Sequence, residues 1–178
     1  DYGTLIFEGE YQNNQKSGKG KEFFIDGKLK FEGEYLNGIK NGKGKEYNKN
    51  GLVTFEGEYL NGIKYKGIIK KYYCYHLIFE GEYLIGSKNC KGKEYNKNGE
   101  LIFEGEYADN KRWNGKIKEF DGEDNLIFEG EYSNGLRSGK GKEYNKNGEL
   151  IFEGEYVGDK KWNGKIKEYN KSDELIFE

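Results

Sequence analysis

The chain has 178 residues, 30 basic and 32 acidic side chains, a net charge of −2, and 34% apolar against 35% charged residues. That balance is poor material for one thick core, while an aromatic content of 16% excludes the profile of a disordered chain. Charges alternate in sign without a basic stripe, which excludes a nucleic-acid footprint, and no run approaches the roughly 18 apolar residues of a membrane span.

In chain order, the first predicted strand carries the pentapeptide FEGEY at Phe7. The same five residues recur at Phe31, Phe55, Phe79, Phe103, Phe128 and Phe152, and a shortened copy stands at Phe177. A period of 24 or 25 residues marks a tandem array rather than an active site, which is assembled once. Each unit reads as a strand (LIFEGEY), a polar turn, a second strand (GKGKEY) and a second turn. That second turn is Asp26-Gly27, Asn50-Gly51, Asn98-Gly99 or Asn147-Gly148, and it predicts a two-residue type I′ hairpin with positive φ at both central residues. In that register Asn48 faces Val53 and Glu46 faces Phe55. Within the second unit Glu46 falls opposite Phe31, Gly44 opposite Gly33, and Gly42 opposite Tyr35.

One face then carries Phe31, Gly33 and Tyr35 with Gly42 and Gly44, and the other carries Glu32 and Glu34 beside Lys43 and Lys45. The same rows repeat through Phe103 and Gly105, Phe128 and Gly130, and Phe152 and Gly154. Bare glycine backbone opposite the Tyr rings would give a thin aromatic core. Units three, five and seven differ. There KYKGIIKKY, RWNGKIKEF and KWNGKIKEY replace the second glycine by Ile69, Ile117 or Ile166, and each Ile follows an aromatic (Tyr65, Trp113, Trp162) by four positions. The fold expected is all-β: an elongated single-layer antiparallel meander of tandem hairpins, fourteen strands in one array over residues 1–178. The lack of any Met implies a segment of a longer protein.

Aromatic-x-Gly-x-aromatic, a turn, then Gly-x-Gly on the next strand resembles the MORN repeat family, on Phe31, Gly33, Tyr35, Asn37-Gly38, Gly42 and Gly44 and their counterparts in the other units. The second aromatic, commonly Trp in that family, is Tyr here. Cys90 replaces the first strand-two glycine of unit four, and unit three has YYCYHL in place of the usual Asn-Gly turn before its last strand. The resemblance implies a single-layer sheet that organises protein partners, often cytoskeletal, with membrane-lipid binding proposed for some members.

Chemistry-bearing patterns are weak beside this. Glu8 and Glu10 stand about 6.5–7 Å apart on one strand face, near an inverting glycosidase spacing. Yet every unit has the pair, so a solvated charge ladder is the plainer reading. SGKGKEY at Ser138 is one residue short of a phosphate loop and lacks the Ser or Thr after the Lys. DGEDN at Asp121 occupies a hairpin turn and lacks EF-hand spacing. His76 is the only histidine, and Asn170-Lys171-Ser172 spells a glycosylation sequon by chance. Cys74 and Cys90 fall short of a disulfide framework and point to a reducing, cytoplasmic setting.

The expectation is therefore a non-enzymatic scaffold without cofactor, catalytic or metal site. It binds a protein partner through its aromatic and glycine face at Tyr65, Tyr107, Trp113, Tyr132, Tyr156 and Trp162, with open strand edges available for self-association. Alternatives are a phosphoinositide-associated module, which would need an unbalanced lysine face, the regulatory arm of an enzyme encoded elsewhere, and an exported sugar-binding repeat, which would need more Trp.

Overall fold

The computed structural model describes residues 3–85, 90–169 and 175–177. Strands pair antiparallel in the order in which they occur in the chain. The chain divides into two compact units, Asp1–Cys90 and Lys91–Glu178.

The first unit contains β1 (Phe7–Gln12), β2 (Gln15–Phe23), β3 (Leu29–Leu36), β4 (Ile39–Tyr47), β5 (Val53–Leu60), β6 (Ile63–Tyr73) and β7 (His76–Leu84). After β8 (Cys90–Tyr95), the second continues with β9 (Leu101–Ala108), β10 (Lys111–Phe120), β11 (Leu126–Ser133), β12 (Leu136–Tyr144), β13 (Leu150–Val157) and β14 (Lys160–Ile166). A separate two-stranded ladder pairs β15 (Glu168–Tyr169) with β16 (Leu175–Phe177).

The expected register holds at its centre: Glu46 faces both Phe31 and Phe55, and Gly44 faces both Gly33 and Gly57. It fails at two ends. Tyr35 faces Lys40, not Gly42, because β4 inserts two extra residues between Lys40 and Gly44, and Gly42 takes φ +96° there. Gly42 instead faces Tyr59 of the following strand.

The turn assignment is also corrected. Type I′ geometry sits at the first turn of the second, third and sixth units, at Asn37-Gly38 (φ +50° and +85°), Asn61-Gly62 and Asn134-Gly135, where both residues have positive φ. At Asn50-Gly51 only Gly51 is left-handed (φ +80°), and Tyr47 rather than Asn48 pairs with Val53. There the Asn48 N–H donates to Leu52 O and the Gly51 N–H to Asn48 O. The Asn48 side-chain oxygen accepts from Asn50 and Leu52, so a longer asparagine-braced loop replaces the two-residue turn.

The units with inserted aromatics use a different bulge. Between Lys64 and Lys66 a single extra residue, Tyr65, is squeezed out, and Trp113 and Trp162 are its counterparts. One residue instead of two slides the inner pairing, so Gly115 faces Gly105 and Ile117 faces Phe103. On the outer side Gly115 faces Tyr132 and Ile117 faces Gly130, as the plain alignment predicts. Ile117 is buried, standing where glycine would be on one side and where glutamate would be on the other.

The core is a file of rings. Phe31, Phe55, Phe103, Phe128 and Phe152 are buried, with Tyr35, Tyr59, Tyr107 and Tyr156. In the first unit Phe7, Tyr35, Phe31, Tyr59 and Phe55 meet edge to face in succession at 5.3–5.6 Å between centroids, a favoured aromatic geometry. The ring lying on the glycines is chiefly Phe: a Cβ built on Gly44 would come within 2.6 Å of the Phe31 ring and 3.1 Å of Tyr59. The glycines are therefore a bed for two rings from neighbouring hairpins, not only a partner for Tyr.

Candidate functional site

Each FEGEY contributes two carboxylates to the polar face, and the sheet itself uses both in the second and sixth units. Glu32 accepts the Tyr47 hydroxyl at 2.5 Å, and Glu129 accepts that of Tyr144 at 2.7 Å. The second carboxylate caps the bulge: Glu34 accepts the Lys43 N–H at 2.9 Å, Glu10 that of Lys19 and Glu131 that of Lys140, both at 3.3 Å. Where the bulge is smaller, Asn114 donates its side-chain amide to Glu106 at 3.1 Å. These partners give the paired carboxylates a structural role in place of an acid–base one.

On the aromatic face lies a row that the repeat pattern did not single out. Lys16, Lys40, Lys64, Arg112, Arg137 and Lys161 occupy one position, two residues after the first turn. Each places its cation over a Phe ring, from 3.9 Å for Lys40 over Phe31 to 5.5 Å for Arg112 over Phe103. Each cation also pairs with the glutamate of a GKEY-type segment. Lys40 lies between Glu22 and Glu46 at 3.5 and 3.7 Å, and Arg137 between Glu119 and Glu143 at 2.7 and 3.0 Å. A basic residue at this position in six units, including both arginines of the chain, was the available signal.

The same glutamates receive the ladder tyrosines. Tyr107 and Tyr132 donate to Glu94 and Glu119 at 2.6 and 2.9 Å. The buried hydroxyls of Tyr35, Tyr59 and Tyr156 stand beside Glu22, Glu46 and Glu143 without reaching direct hydrogen-bond geometry. Burial, followed by the carboxylate alongside, pushes all three phenols upward, and Tyr132 to about 12. For Glu22 and Glu46 burial acts upward, but the neighbouring lysines outweigh it and the carboxyls lie below their ordinary range.

The six aromatics expected to meet a partner therefore separate into two groups. Tyr107 and Tyr156 are buried in the ladder, and Tyr132 is half-buried with its hydroxyl engaged. Tyr65 (37% exposed), Trp113 (39%) and Trp162 (75%) are the bulge residues and stand open. Two of the bulges are held from the next hairpin, whose backbone N–H groups donate to the Tyr65 and Trp113 carbonyls at 2.8 Å (from Ile85 and Gly135).

On the polar face each compact unit has a trough floored by glycine backbone and walled by Glu and Lys. The first is about 630 Å³, between Glu8 and Glu58, and the second about 750 Å³, between Leu101 and Gly164. Among the described residues no group of His, Cys, Asp or Glu could hold a metal ion, and no helix is long and apolar enough to cross a membrane. Cys74 is an exposed free thiol at a turn, and Cys90 is half-buried and also free, its thiol pushed upward by burial. His76 begins β7 and is exposed; the sequon at Asn170 lies outside the described residues.

Tandem hairpins that pack a file of Phe and Tyr rings against their neighbours define a repeat-array protein. The chain carries MORN repeats: the MORN repeat family model matches residues 7–28, 31–53 and 128–149. The unmatched hairpins are the three with the smaller bulge and the fourth. No curated protein matches the chain. MORN repeats are consistent with a repeat scaffold module, and the family is typically non-catalytic.

Proposed function

We propose that the chain is a non-catalytic scaffold that holds a protein partner across the aromatic face of its fifth to seventh hairpins, with Trp113 and Trp162 as anchors. The observation that carries this reading is the 75% exposure of Trp162 on a strand bulge, with Trp113 at the equivalent place two hairpins earlier. Large rings with few rotors, presented on rigid backbone, are the side chains most enriched at binding hot spots. The ladder tyrosines Tyr107 and Tyr156 are buried in the sheet and do not contact the partner. Cytoskeletal proteins are the first candidates, following the family resemblance. The balanced Glu and Lys rows give no basic face for an anionic lipid, so the membrane reading lacks support.

The test is affinity capture from the native cell with the wild-type chain and with W113A/W162A, followed by direct titration of any species lost. Each substitution is expected to weaken binding about thirty-fold, roughly 2 kcal/mol, with little change in melting temperature. Unchanged affinity in folded variants would overturn the proposal.

A further inference from the structure

The polar face of the first unit carries a pattern that the scaffold reading leaves unused. Strands β1, β3, β5 and β7 present glutamates there, and β2 and β4 present lysines at the paired positions: Glu8 against Lys21, Glu32 against Lys21 and Lys45, and Glu56 against Lys45. Charge therefore alternates from strand to strand between β1 and β5, and Ile68 holds the paired position on β6. Along the turn end of the same face runs an apolar border of Leu36, Ile39, Leu60, Ile63, Leu84 and Ile85, each between 42% and 56% exposed. Leu36 pairs with Ile39 and Leu60 with Ile63, and the Gly62 N–H donates to Lys40 O, so successive tips lie against one another. Contiguous exposed apolar surface of this kind marks an interaction site.

We infer that this face of the first unit packs against the same face of a second copy of the chain, about a two-fold axis parallel to the strands and passing between two of them. Such an axis reverses strand order and keeps the turn ends on one side. With the axis between β4 and β5, strands β2, β3 and β4 lie over β7, β6 and β5 of the other copy, Lys21 over Glu82 and Lys45 over Glu56, and Leu36 and Ile39 meet Ile63 and Leu60. An axis along the array would separate the borders, and one passing through a strand would set like charge on like. Six overlapping strands about 4.8 Å apart and about six residues long cover near 600 Å² per copy, or roughly 1,200 Å² in all, at the lower end of a standard interface. The apolar border supplies most of the attraction. The charge rows select the register, as solvent-exposed pairs contribute little each.

The experiment is sedimentation equilibrium on the complete 178-residue chain, at 0.05 and 0.5 M salt, with circular dichroism to confirm folding. The expected result is a monomer–dimer equilibrium weakened several-fold by salt, and at least ten-fold by L60K/I63K. A charge pair checks the register: K21E and E82K should each associate ten-fold less well alone, and their equimolar mixture should recover dimer. A monomer at all concentrations would overturn the inference. So would a dimer indifferent to L60K/I63K, since association would then run through another surface such as a strand edge.

Discussion

The Lys40 ammonium lies over the Phe31 ring, 3.9 Å from its centroid, and bridges Glu22 and Glu46. A single-layer sheet has no second layer to cover its rings. Here a cation and two carboxylates serve as that cover, so the charged residues are part of the packing.

Arg137 makes the tightest version of this arrangement, with its Nε and Nη2 donating to both oxygens of Glu119 and its Nη1 to Glu143. R137Q should destabilise the chain by about 2–3 kcal/mol in a urea melt, because two half-buried carboxylates lose their partner and Phe128 loses its lid. R137K should recover roughly half. A loss below about 0.5 kcal/mol would place the row among ordinary surface pairs.

Acid should release the same network. Glu46 is held below its ordinary value of 4.5 because Lys64, at 2.7 Å, and Lys40 outweigh the effect of burial. A depressed carboxyl contributes stability above its unfolded value, and that contribution is lost as pH falls through the folded one. E46Q should therefore be less stable than wild type at pH 7, with the gap closing below about pH 4.5. A gap independent of pH would remove the charge from the explanation. At the alkaline end Tyr47 is pushed up to about 12 by burial and by Glu32, so its contribution is complete below pH 10 and fades as pH approaches 12. Difference absorbance between wild type and Y47F should show that late ionisation.

Gly105 tests the glycine bed. A Cβ there would meet Asn114 O at 2.1 Å and Gly115 Cα at 2.7 Å, both backbone atoms that cannot step aside. G105V should cost about 3 kcal/mol, the upper end of overpacking, and the damage should stay near β9 and β10. G122A, with open space around it, should be within about 0.5 kcal/mol of wild type. Equal effects from the two would mean that close strand approach is not what demands glycine.

The turn reassignment predicts an order of sensitivity. N37A forces alanine to φ +50° and should cost about 1–2 kcal/mol. N48A removes the brace on its loop and should cost about 1 kcal/mol. N50A should be nearly neutral, because Asn50 is not among the left-handed residues. Thermal melts giving the reverse order would restore the two-residue turn at Asn50-Gly51.

The repeat period, the strand alternation and the glycine spacing are local properties, and they sufficed to place every hairpin, its antiparallel neighbour and the face bearing Phe31, Gly33 and Tyr35. They also sufficed for the family. What they could not supply was the number of residues each bulge takes up, since Asn-Gly suits either a type I′ turn or the end of a longer loop. Pairing with the next strand decides between them: only with β5 in place does Tyr47, rather than Asn48, face Val53. The smaller bulge at Trp113 was equally hidden, because the two-residue slide appears only when Gly115 is matched to Gly105 on one side and to Tyr132 on the other. The lid of cations was visible as a recurrent basic position, yet its role was not. Alternation sends Lys40 to a face only after the bulge is counted, and counting it requires the neighbouring strand.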